Sequence, residues 1–106
     1  MMKHLSRIAM LAAASVLVFA IPSRAEDVAA LYKTKCAVCH GPDGKGDTAA
    51  GKKLGVKDFH SPEIAKAKDA ELIEATTKGK GKMPSYDKKL TDDQIKELIK
   101  YIRTLK

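Results

Sequence analysis

Apolar and polar positions change their pattern abruptly along this 106-residue chain. Ile8 to Ile21 is an almost unbroken apolar run behind a basic start of Lys3, His4 and Arg7, and Ser23-Arg24-Ala25 puts small residues where a signal peptidase reads. The run is shorter than the roughly 20 apolar residues a spanning helix needs, so residues 1–25 are predicted to be a cleaved secretory leader rather than a retained anchor. From Glu26 the period becomes helical. Val28, Leu31, Tyr32 and Lys35 share one face of a first helix, with Glu26 and Asp27 at its positive N-terminal end. Leu72, Ile73 and Thr76 cluster on one side of a second helix, from about Asp69 to Lys78, which Gly79 stops. The clearest stripe is Ile95, Leu98, Ile99 and Ile102, widened by Tyr101 and Leu105, and it predicts helix over 92–105. Thr91 caps that helix, Gln94 answers it from N3, and Leu90 with Ile95 forms the hydrophobic staple.

Between these elements the punctuation is dense. Gly41-Pro42-Asp43-Gly44-Lys45-Gly46-Asp47 reads as a loop, residues 48–60 read as irregular with Leu54, Val56 and Phe59 turned inward, and Ser61-Pro62-Glu63 starts a short turn of helix over 62–67. No strand-length alternation and no internal repeat stands out, so the fold class is all-α. Without residues 1–25 the 106-residue chain leaves 81, one domain over residues 26–106. That is close to the size at which a core alone is marginal. Its only aromatics are Tyr32, Phe59, Tyr86 and Tyr101, so a large flat apolar body from outside the sequence would complete the core.

Cys36-Ala37-Val38-Cys39-His40 supplies a reason to expect such a body. It uses both cysteines of the chain. Two thiols three apart followed at once by histidine form the attachment signature of c-type haem, in which each thiol adds to a vinyl group and the imidazole reaches the iron. A zinc site wants a second Cys/His pair at matched spacing, and none is present. Thioredoxin-like chemistry wants a βαβ setting, whereas helix precedes Cys36. The second informative residue is Met83, the only methionine beyond the leader. It sits in Lys80-Gly81-Lys82-Met83-Pro84-Ser85-Tyr86, a loop rather than an apolar stripe, which suits a thioether offered to iron with Pro84 stiffening the approach.

Charge changes the picture only modestly. Lys3, Arg7 and Arg24 fall in the leader, which leaves 17 basic against 13 acidic side chains, +4 in place of +7. Lys33, Lys35, Lys45, Lys52, Lys53, Lys57, Lys78, Lys80, Lys82, Lys88 and Lys89 flank the two candidate haem segments. They serve equally as a solvated surface or as a positive field that steers acidic partners. Basic residues without interleaved aromatics point away from nucleic acid.

A haem motif near the start, a lone Met-Pro in a later loop and an aromatic-bearing last helix together resemble the class I cytochromes c, particularly the small bacterial monohaem ones. The resemblance spans residues 27–106. It implies a cytochrome c fold of three to four helices around one covalent haem c per chain, with Cys36 and Cys39 forming the thioethers and His40 and Met83 the axial iron ligands. It matches Tyr32 to the aromatic four before the first cysteine, and Leu98 and Tyr101 to the pair that packs the last helix on the first. Two positions depart from the pattern. Val28 stands where the family usually has glycine at the helix crossing, so a wider crossing is expected. No proline between Pro42 and Pro62 is placed to lend its carbonyl to His40.

The implied function is a periplasmic one-electron carrier working between larger redox partners with acidic docking surfaces, as a monomer free of the membrane after leader cleavage and with no substrate turned over. Three alternatives remain open on the residues alone: an enzyme with an open sixth iron position, a carrier that pairs His40 with His60, and a haem-free dithiol or metal module.

Overall fold

The computed structural model describes residues 24–106, which form six helical segments: α1 (Arg24–Lys35), α2 (Ala37–His40), α3 (Ala49–Leu54), α4 (Pro62–Lys66), α5 (Asp69–Lys78) and α6 (Asp92–Ile102). The expected leader lies outside the described residues except for its last two positions, which begin α1. Among the described residues there is no strand, only an isolated bridge between Lys80 and Met83. The all-α expectation holds, with the three longer helices in the places their periodicity predicts.

The core is the crossing of α1 and α6. Val28, Tyr32, Leu90, Ile95, Leu98, Ile99 and Ile102 are its buried members, and Ile95 is fully enclosed. Every α6 residue of the predicted stripe faces inward because 3.6-residue periodicity puts those positions on one side. Val28 is buried at this crossing. Tyr32 and Tyr101 meet across it with ring centroids 5.2 Å apart, tilted by 53°. α6 begins with the expected capping box: Gln94 N–H donates to Thr91 Oγ1 at 3.1 Å, and Thr91 N–H to Gln94 Oε1 at 2.9 Å. The helix ends at Ile102, three residues before the predicted limit. Arg103 turns aside to Asp69 Oδ1 (2.7 Å) and the Ala67 carbonyl (2.6 Å), tying the end of α6 to the start of α5.

Two expectations for residues 48–60 need correction. This stretch is not irregular throughout, because α3 occupies Ala49–Leu54 between an N-cap and a C-cap that both have a mechanism. Thr48 Oγ1 accepts the Gly51 N–H at 2.9 Å, and Gly55 closes the helix in the left-handed region at φ 65°. Leu54 is not an inward anchor either. It is 38 % exposed, since a helix this short turns one side only to the protein, and that side is Gly51.

Candidate functional site

The Cys36–His40 segment is built as a continuation of α1. Cys36 N–H donates to the Tyr32 carbonyl (2.9 Å), His40 N–H to the Cys36 carbonyl (2.9 Å) and Gly41 N–H to the Ala37 carbonyl (2.8 Å), so one turn of helix carries the motif. The chain then leaves through Gly41 at φ 80°, and Gly46 N–H returns to the His40 carbonyl at 2.8 Å. Tyr32 fixes this exit. Its hydroxyl, buried in the core, donates to the Gly41 carbonyl at 2.6 Å, and that burial drives its ionisation far above the ordinary phenol range.

α3 closes one side of the motif. The Thr48 hydroxyl reaches the carbonyls of Val38 (2.9 Å) and Cys39 (3.0 Å) while capping its own helix. Gly51 faces the same place, and a Cβ there would run into the Cys39 carbonyl oxygen. Only glycine lets the two segments approach so closely.

The two cysteines are free and half-buried. Burial pushes the Cys36 thiol up to about 11, the opposite of the depressed value a dithiol redox motif needs. His40 is also pulled toward its neutral form, by burial alone. Its ring stacks on Phe59, centroids 4.6 Å apart and planes within 23°. Nδ1 is buried without a hydrogen-bond partner, although the residue as a whole is only half-buried.

Met83 is half-buried in the loop between α5 and α6. Lys80 and Met83 exchange backbone hydrogen bonds of 3.2 and 3.0 Å, with Gly79 (φ 80°) and Gly81 (φ 58°) making the turn. The loop is fastened to α5 by the Ser85 hydroxyl on the Thr77 carbonyl (2.7 Å) and by Tyr86 N–H on the Thr76 carbonyl (3.1 Å). It is fastened to the motif by Tyr86, whose hydroxyl donates to the Lys35 carbonyl at 3.1 Å, 51 residues back along the chain. Burial, then the neighbouring Cys36 and Cys39 thiols, raise the Tyr86 phenol above its usual value. Both candidate haem segments are thus tied to one another by Tyr86.

His60 stands apart from this pair. Its Nδ1 lies 2.6 Å from Asp58 Oδ1 and its Nε2 2.7 Å from the Leu105 carbonyl. Both partners are acceptors, so the doubly protonated ring is the form that satisfies both contacts. The hydrogen bond to Asp58, followed by that to Leu105, raises its pKa accordingly.

The donor set fits covalent haem. Among the described residues no group of three or more His, Cys, Asp or Glu converges as a metal cage would require. What the fold offers instead is two half-buried thiols, an imidazole that burial shifts toward its neutral form, and a thioether-bearing loop tied to the motif through Tyr86. Neutral imidazole and thioether are the two uncharged ligands that suit haem iron. Sequence reasoning missed the parts played by Thr48, Phe59 and Tyr86. Thr48 followed seven residues later by Gly55 was a readable cap pair, whereas nothing local marks Tyr86 as the link to Lys35.

Comparison with known proteins agrees. Residues 23–102 match the family described as cytochrome c oxidase, cbb3-type, subunit III. Cytochrome c-553 of Helicobacter pylori is 40 % identical over 89 % of this chain and 94 % of its own. The cbb3-type cytochrome c oxidase subunit CcoP of Azospirillum brasilense is 31 % identical over 83 % of this chain but only 32 % of its own length, and its counterpart in Azospirillum sp. is matched over 26 %. The chain therefore spans between a quarter and a third of those oxidase subunits. Among solved structures, the c-type cytochrome KustC0563 superimposes with a TM-score of 0.67 at 35 % identity, covering 74 % of this chain and 95 % of that one.

Proposed function

The chain belongs to this family of c-type cytochromes and carries covalently bound haem c, and from that premise we propose that it is an exported, periplasmic one-electron carrier with His40 and Met83 as the axial ligands and Cys36 and Cys39 as the thioether anchors. Haem c supplies the one-electron iron couple. The chain's own residues supply placement: Tyr32 and Thr48 hold the helical turn of the motif, α3 closes against it through Gly51, and the α5–α6 loop is held to the motif by Tyr86.

The observation that carries this reading is the Tyr86–Lys35 hydrogen bond, which ties the Met83 loop to the residue preceding Cys36. The His40/His60 alternative loses support from the same geometry, because both nitrogens of His60 are engaged by Asp58 and Leu105. With His40 and Met83 both holding the iron, no coordination position would be left for a substrate, which suits transfer between redox partners. Val38, between the two cysteines, is 66 % exposed, and Lys35, Lys52 and Lys53 are exposed on the neighbouring segments. An apolar contact with a positive surround suits a partner whose docking surface is acidic. No described helix is long and apolar enough to cross a membrane. Export is supported by the leader pattern of residues 1–25.

The test is the oxidised protein from an export-competent host. A red-edge sulfur-to-iron absorption band present in the parent and lost in Met83→Ala is the expected result. A parent without that band at neutral pH overturns His/Met ligation.

A further inference from the structure

A histidine that ligates metal almost always donates its second ring N–H to a carbonyl, a carboxylate or water, and that bond sets both the plane of the ring and its basicity. His40 does otherwise: its Nδ1 is buried with no acceptor, and no proline carbonyl is available between Pro42 and Pro62. The group in contact with the imidazole is the Phe59 ring, nearly parallel at 4.6 Å.

Phe59 is itself held firmly. Its N–H donates to the Gly44 carbonyl at 2.9 Å. Gly44, at φ 75°, leaves room for the ring, since a Cβ at that position would lie 2.6 Å from Phe59 Cδ2 and 3.3 Å from Leu105 Cδ1. Leu105 packs beside it, and the next residue, His60, is anchored at both nitrogens. An aromatic ring constrained in this way can impose its plane on a stacked neighbour.

We infer that Phe59 is a positioning residue for the proximal ligand: its ring, through parallel stacking, fixes the plane of the His40 imidazole in place of a hydrogen bond to Nδ1. The inference rests on His40 being an iron ligand. Two consequences follow from the chemistry. The apolar ring keeps water from Nδ1, and an imidazole without an acceptor on Nδ1–H is a weaker base, which disfavours ferric iron relative to a hydrogen-bonded ligand.

The experiment uses the haem-loaded protein. In the reduced, diamagnetic form, nuclear Overhauser contacts between the Phe59 and His40 ring protons are expected. In Phe59→Leu, with haem mass and helix content retained, the reduction potential should fall and the low-spin electron paramagnetic resonance spectrum of the oxidised form should change its g-anisotropy as the imidazole turns. Phe59→Tyr, which keeps the ring, should restore both. Phe59→Leu with the parent's potential and spectrum and merely a lower melting temperature overturns the inference, as does absence of the ring-to-ring contact in the parent, a measurement that needs no variant to fold. Failure of the underlying ligation looks different: His40→Ala would then keep the parent's low-spin absorption spectrum.

Discussion

At the scale of single residues, the site depends on a few polar groups whose partners are far away in sequence. Tyr32 is buried in the core, yet its hydroxyl serves the Gly41 carbonyl just past His40. Tyr32→Phe leaves that carbonyl only the longer bond from the Gly44 N–H at 3.2 Å, and the expected loss is about 1 kcal/mol, measured as a lower denaturant midpoint with haem retained. His60 gives a pH dependence with a definite sign. Its folded pKa is raised by Asp58 and the Leu105 carbonyl, against the opposing effects of desolvation and then Lys45, so its contribution is full below the unfolded value near 6.5 and is lost as pH rises through the folded pKa. Asp58 is lowered by hydrogen bonds from His60, so its contribution is present above the unfolded carboxylate value and is lost as pH falls through the folded one. Thermal melting of the parent against His60→Gln should therefore show an advantage for the parent at mildly acidic pH that vanishes in alkali. An equal difference at both ends would refute the pairing.

At the scale of elements, close approach matters more than helix strength. α3 has six residues, two of them lysines in its last turn, and no apolar stripe that periodicity could detect. It exists because Thr48 caps it and because Gly51 can lie against the Cys39 carbonyl. Gly51→Ala suits an isolated helix, by roughly 1 kcal/mol, but it forces α3 off the motif. A net destabilisation of about 1–3 kcal/mol and a lower yield of haem-loaded protein are expected. α6 behaves in the ordinary way. Thr91→Ala removes half of the capping box, at about 1 kcal/mol, and should lower the melting temperature with no change in the visible spectrum.

At the scale of the whole molecule, the buried apolar side chains all sit in α1, α6 and Leu90 just before α6, while α2 and α5 contribute only half-buried apolar side chains around them. A chain of this size with so localised a core lacks the burial to order its remaining segments alone. Replacing Cys36 and Cys39 together by alanine should therefore give a protein without covalent haem and with much of its far-ultraviolet helix signal gone. A colourless chain that kept its full helix content would contradict this. The primary sequence by itself determined the helical class, the three longer helices, the Cys36–His40 attachment motif and Met83 as the unusual methionine, because each is a matter of period, spacing or local composition. Tertiary structure alone decided that Leu54 faces out, that α3 packs on the motif, that Tyr86 reaches Lys35, and that Phe59 rather than a carbonyl faces the His40 ring. Those contacts join residues far apart along the chain through backbone carbonyls and ring faces, groups whose partners no local pattern of side chains encodes.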